Sequence, residues 1–141
     1  MSACHASGTN GPLSDGHRKL AAIMFTDIVG YTAIMQNNES LAMQVLQRHN
    51  QMLRPIFPKH NGKEIKTIGD SFLVEFESAL EAILCAVDIQ SLLHSYNKAS
   101  EATLKFSVRI GIHLSSRRRT GVKWQVHESQ IHIDEFVILS A

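Results

Sequence analysis

The chain has 141 residues, 44% of them hydrophobic, with 14 Lys and Arg against 13 Asp and Glu for a formal net charge of +1. That size suits one domain with a substantial core, and the charge balance argues against a general nucleic-acid binder, which would carry a basic excess. No apolar run approaches the ~20 residues of a membrane span. Residues 1–17 read as a disordered leader, because Met1 to Gly16 are small and polar and lack the apolar stretch of a signal peptide. The two cysteines lie in unlike contexts. Cys4 falls in the leader and Cys85 in an apolar helical pattern, so no disulfide is expected and a reducing, cytoplasmic setting fits.

Leu20 to Thr26 is a short continuous apolar run, the signature of a buried central strand. It ends at Asp27, with Gly30 close behind. Ala42, Val45, Leu46, His49, Leu53 and Ile56 then recur at helical spacing. Pro58 and the Asn61-Gly62 pair are expected to close that helix. Lys63 to Ile68 and Ser71 to Phe76 read as two strands joined by a Gly69-Asp70 turn, a hairpin. Ser78, with Glu81 three residues on, forms a capping box and opens a helix whose apolar face is Ala79, Ala82, Ile83, Ala86, Ile89 and Leu93. Tyr96 to Thr103 is expected to be a polar connection. Leu104, Phe106, Val108, Ile110 and Ile112 alternate with polar residues or glycine, which predicts a half-buried strand.

The order β-α-β-β-α-β is the α+β, ferredoxin-like βαββαβ core, an antiparallel sheet with helices on one face. Its right-handed crossovers set the first and third strands side by side in the sheet centre. Asp27 and Asp70, distant in sequence, become neighbours at one sheet edge. Adjacent carboxylates repel unless a positive charge intervenes. Mg²⁺ is a common solution, taking one or two carboxylates and filling its other positions with water and phosphate oxygens. The plainer alternative makes Asp27 a helix cap and Asp70 a turn residue. Gly30 lets the backbone approach a ligand, and a helix start there offers N–H groups to phosphates, although a plain tight turn also explains a single glycine. Lys66, taken by itself, is a solvated strand lysine. His49, His60, His113 and Arg109 receive no assigned role, and no His/Cys pair has zinc-ligand spacing.

Three segments carry a family resemblance. Phe25-Thr26-Asp27-Ile28-Val29-Gly30-Tyr31-Thr32 resembles the opening motif of class III adenylyl and guanylyl cyclases. Lys63 to Phe72, with Gly69-Asp70 at its turn, resembles their hairpin motif, and Val108 to His113 the strand that follows. The resemblance runs from about Arg18 to Leu114, which divides the chain into the leader at 1–17, a partial cyclase domain at 18–114 and a divergent tail at 115–141. It implies conversion of ATP or GTP to a 3′,5′-cyclic nucleotide and pyrophosphate. It implies that Asp27 and Asp70, with the Ile28 backbone carbonyl, hold two Mg²⁺ or Mn²⁺ ions, and that the backbone of Val29, Gly30, Tyr31 and Thr32 cradles phosphates. Lys66 matches the purine-reading position, where lysine is typical of adenylyl cyclases, so ATP is favoured over GTP. The family works as dimers, so a homodimer or a complementing cyclase subunit is the implied partner. A diguanylate cyclase would also place metal carboxylates on this sheet, but its Gly-Gly-Asp/Glu-Glu-Phe hairpin is missing.

After Leu114 the likeness ends. The family continues with a hairpin and a helix bearing an asparagine and, a turn later, an arginine that stabilise the transition state. Residues 115–141 contain no asparagine and one glycine, Gly121. Arg117-Arg118-Arg119 reads as a solvated run. The alternating Ile131-His132-Ile133 stretch and the apolar residues from Phe136 to Leu139 either add an edge strand or merely replace the lost region. Two functions follow: an adenylate cyclase, or a catalytically incomplete cyclase module that dimerises or binds metal–nucleotide without efficient turnover.

Overall fold

A computed structural model describes the backbone of residues 18–120, 123–124 and 137–140, and the side chains of residues 21–114. The expected leader and the Ile131–Ile133 stretch lie outside the described residues. Strand β1 (Arg18–Ile28) is followed by helices α1 (Tyr31–Asn37), α2 (Glu39–Leu53) and α3 (Ile56–Lys59). Strands β2 (Lys63–Ile68) and β3 (Ser71–Phe76), helix α4 (Ala79–Ala99), a 3₁₀ turn (Ala102–Leu104) and strand β4 (Val108–Thr120) complete the core. Two short strands, β5 (Lys123–Trp124) and β6 (Val137–Ser140), both pair with β4.

The sheet order β2-β3-β1-β4 is that of the expected α+β core, and β1 lies antiparallel between β3 and β4. Side chains alternate between sheet faces. Ala22, Met24 and Ile28 of β1, Phe72, Val74 and Phe76 of β3, and Val108, Ile110 and Ile112 of β4 join one buried cluster with Val45, Leu53, Ile56 and Phe57 and with Ala82, Cys85, Ala86, Ile89 and Leu93 of α4. The helices therefore cover one face. The intervening residues, Phe25, Asp27, Ser71, Leu73, Arg109 and Gly111 among them, fall on the far face by the same alternation and register.

Asn38 caps α2 by accepting from the Leu41 N–H at 3.0 Å, and Ser78 caps α4 by accepting from Glu81 at 3.2 Å, as the capping box anticipates. Other expectations need correction. The first long helix breaks at Pro55, which has no N–H to continue it, and Ile56 begins a separate short turn. Helix α4 runs on through Tyr96 to Ala99. The polar residues there reach the following backbone: Tyr96 Oη donates to Leu104 O at 3.1 Å, and Asn97 Nδ2 donates to Phe106 O at 2.9 Å. Ile83 is exposed beside Leu80, Leu84 and Val87, while Cys85 takes a core position in its place. Strand β4 begins at Val108 because Leu104 ends the 3₁₀ turn. At the other end β4 continues to Thr120, and β6 adds an edge strand against Arg109 to Ile112.

Candidate metal and nucleotide site

Strand β1 carries Asp27 on its far face, one residue before its end. The ladder to β3 runs from Ala22↔Phe76 to Thr26↔Phe72. Two steps further would bring Ile28 level with Asp70, which closes the β2–β3 turn. There Asp70 Oδ2 accepts the Ile28 N–H at 2.9 Å. The side chain thus completes the ladder that the backbone turn interrupts. Gly69 makes this turn possible with φ +55, a conformation open to glycine without a Cβ penalty. The two carboxylate residues meet at one sheet edge, as the topology anticipates.

Asp27 is not a bare carboxylate. Arg109, its register partner on β4, donates from Nε to Oδ1 at 2.9 Å and from Nη2 to Oδ2 at 3.0 Å. The hydrogen bonds to Asp27, and its charge, hold the Arg109 guanidinium above its ordinary pKa, with Asp70 adding to the effect. Arg109 is the polar group that sequence reasoning left without a role. Its position between Val108 and Ile110 on an alternating strand puts it on the face away from the core, and that is the available signal; the β1–β4 register then sets it opposite Asp27.

Gly30 stands between β1 and α1 with φ +70. A Cβ there would meet nothing within 4 Å, so the backbone angle alone calls for glycine. The Val29 N–H donates to Ser107 O at 2.9 Å and is already engaged. Tyr31 and Thr32 open α1, where the first N–H groups of a helix have no partner within it. Partial burial and the nearby Asp70 charge raise the Tyr31 hydroxyl pKa, which places this turn beside Asp70.

Lys66 sits apart, on edge strand β2, with β3 between it and β1. The β2–β3 register slips between Glu64↔Val74 and Lys66↔Leu73, leaving Ile65 as the extra residue of a bulge. Counting by twos from Glu64 would put Lys66 on the helix face. The bulge instead aligns Lys66 with Leu73 and Phe25 on the far face, in the row next to Asp27. Thr67 correspondingly shares the helix side with Glu64 and donates to it, and Arg54 of the α2 C-cap binds the same carboxylate at 3.2 Å.

A depression of about 320 Å³ on the far face is lined by Phe25, Asp27, Ser71, Arg109 and Gly111. A larger one of about 990 Å³ runs along α2, past Met43 and Gln47, away from both carboxylates. The smaller one holds Asp27 and Arg109 and is the chemically relevant one. Among the described residues no cluster of three His, Cys, Asp or Glu could hold a metal ion. Any ion here must rest on two carboxylates plus backbone, water or phosphate oxygens, which is within the habits of Mg²⁺.

An antiparallel βαββαβ sheet with carboxylates at the β1 and β3 ends defines a nucleotide-cyclase type of fold. Residues 15–118 match the adenylate and guanylate cyclase catalytic domain, and the chain belongs to that family. It is 35% identical over 98 residues to a putative adenylate cyclase 3 of Rhizobium meliloti, covering 69% of this chain and 17% of that protein. It is 30% identical over 110 residues to the serine/threonine-protein kinase pkn2 of Myxococcus xanthus, covering 77% of this chain and 13% of that one. Among solved structures, the adenylate/guanylate cyclase/hydrolase of Silicibacter pomeroyi superposes with a TM-score of 0.61 at 28% identity, over 79% of this chain and 65% of that chain. The chain thus spans less than a fifth of the length of these curated relatives. No described helix is long and apolar enough to cross a membrane.

Proposed function

We propose that this chain supplies the metal-binding half of an adenylate cyclase site, which converts ATP to 3′,5′-cyclic AMP and pyrophosphate in cyclic-nucleotide signalling. The observation that carries the reading is the meeting of Asp27 and Asp70 at one sheet edge, tied by the Ile28 N–H to Asp70 bond. The donor set fits a hard divalent ion: two carboxylates, one already drawing a cation in Arg109, with the Ile28 carbonyl between them in the chain. Mg²⁺ or Mn²⁺ bound there would neutralise triphosphate charge and favour the 3′-alkoxide in an in-line displacement. Asp27 and Asp70 hold the ions. Gly30, Tyr31 and Thr32 present backbone to the phosphates, with Val29 at the rim. Lys66 donates to the adenine N1 acceptor, and ATP is the substrate in preference to GTP.

The partner is a second cyclase subunit, a copy of this chain or a complementing one. The alternative reading, a module that binds metal–nucleotide without efficient turnover, rests on residues 115–141, which contain no asparagine. Loss of one preorganised transition-state donor costs about 10²–10³ in rate. The test compares purified chain alone with a mixture containing a cyclase subunit that lacks its own metal aspartates but is otherwise complete. Background turnover alone and measurable cyclic AMP in the mixture are expected. Robust turnover alone would refute the need for a partner. Failure of both turnover and metal-dependent ATP binding in the mixture would refute the cyclase reading.

A further inference from the structure

The Asp27–Arg109 pair has a consequence for metal binding. One planar cation takes both oxygens of Asp27, at 2.9 and 3.0 Å. The fold enforces this, since the two residues are directly opposed across β1 and β4 and share the far face. A guanidinium matches a carboxylate with two parallel bonds. Both side chains keep contact with water, at 59% and 36% exposure, so the pair can open without disturbing the core.

We propose that Arg109 is a competing counter-ion at the metal position: a divalent ion reaches Asp27 by displacing the guanidinium, and Arg109 thereby sets how weakly the site binds metal. The inference rests on the reading of Asp27 as a metal ligand. The guanidinium takes one lone pair of each Asp27 oxygen and sets a positive charge beside both, so it disfavours a second cation there. The apparent metal affinity is therefore reduced by the fraction of Asp27 that is unpaired. Exposed ion pairs are weak, so the reduction is a few-fold rather than many decades. The pair also neutralises one of two adjacent carboxylates while no metal is bound, which limits their mutual repulsion. Arg109 acts here as a positioning residue, through Asp27.

The test is Mn²⁺ titration of the full chain without nucleotide, with free Mn²⁺ read by electron paramagnetic resonance. Arg109→Gln is expected to bind Mn²⁺ about two- to fivefold more tightly than the parent. Arg109→Lys keeps the charge but loses the two-pronged match, and should fall between the two. Arg48→Gln removes an equal charge from α2 and should leave the affinity unchanged. Asp27→Asn should lose the binding in the parent and in the Arg109→Gln background alike. Unchanged or weaker binding in Arg109→Gln, with Asp27→Asn still defective, overturns the role of Arg109 and leaves the metal reading standing. Parent-like binding in Asp27→Asn overturns both. Should Arg109→Gln fail to fold, Arg109→Lys decides the matter, and unchanged affinity there counts against the inference.

Discussion

Asp70 serves the fold as a hydrogen-bond acceptor and the proposed chemistry as a negative charge, so two substitutions should separate those roles. Its Oδ2 accepts the N–H of Ile28, a residue only 2% exposed. Asp70→Ala leaves that donor without its partner, which costs about 1–3 kcal/mol. For a folded unit of about 100 residues, each kcal/mol moves the thermal midpoint by roughly 4–8 °C. A fall of about 4–24 °C is therefore expected on the same principle. Asp70→Asn keeps an amide oxygen in the same place. It loses only the charge assistance of the bond and should stay within about 1 kcal/mol of the parent. As a metal ligand, however, the amide lacks the negative charge that a hard divalent ion prefers. The expected pattern is a less stable, metal-deficient alanine variant and a nearly parent-like, metal-deficient asparagine variant. Thermal melts in a chelating buffer and Mn²⁺ titration would read the two properties separately. An alanine variant as stable as the parent would refute the structural role, and an asparagine variant with parent-like Mn²⁺ affinity would refute the chemical one.

Two further outcomes concern the core beneath the site. His49 is fully buried, stacks on Phe72 at 5.2 Å, and has its Nε2 without a partner among the described residues. Burial lowers its pKa, against the raising effects of Asn50 and Asp70. The folded form thus keeps a neutral ring where the unfolded chain takes a proton near pH 6.5. His49 favours folding fully above that pH and progressively less as pH falls toward its depressed folded value, with a slope of at most about 1.4 kcal/mol per pH unit. Urea melts from pH 7.5 to 5 should show this decline, and His49→Leu should remove that contribution; an unchanged pH slope would count against it. Gly62 is fixed by space: a Cβ there would lie 2.6 and 2.8 Å from the Phe76 ring and 2.9 Å from Phe57 O. Gly62→Ala should cost about 1–3 kcal/mol in the same melts, and a neutral result would show that the β2 entrance yields easily.

The hairpin was legible residue by residue because alternation and a Gly-Asp turn are local signals: β2, β3 and their connection lie where the pattern puts them. The neighbourhood of Asp27 and Asp70 was legible because the βαββαβ order fixes which strand ends meet. Features that depend on partners far along the chain were harder to see. Tyr96 and Asn97 looked like linker polarity, yet their side chains serve the backbone of Leu104 and Phe106. Arg109 meets Asp27 across 82 residues, and only the β1–β4 register makes the pair evident. Ile83 was assigned to the core on helical spacing, but the arc that faces the sheet is centred on Ala82, Cys85, Ala86 and Ile89. Burial pushes the Cys85 thiol pKa up to about 12, so this cysteine behaves as a small apolar residue rather than a reactive one.

The bulge at Ile65 joins the fold to the proposed specificity. Without it, alternation would place Lys66 on the same side as Glu64, toward Arg54 and the helix layer. One extra residue reverses that parity for the second half of β2. Lys66 then shares a face with Phe25 and Leu73, and with the row that carries Ser71, Asp27 and Arg109. Edge position matters as well, because β2 has no strand beyond it in the described sheet and remains open to a neighbouring molecule. Lys66 is separated from Asp27 by the full width of β3. The lysine proposed to read the base and the aspartate proposed to hold the metal need not therefore serve one nucleotide within one chain. That separation fits a site shared between two subunits, in which the metal-binding edge of one faces the purine-reading edge of the other.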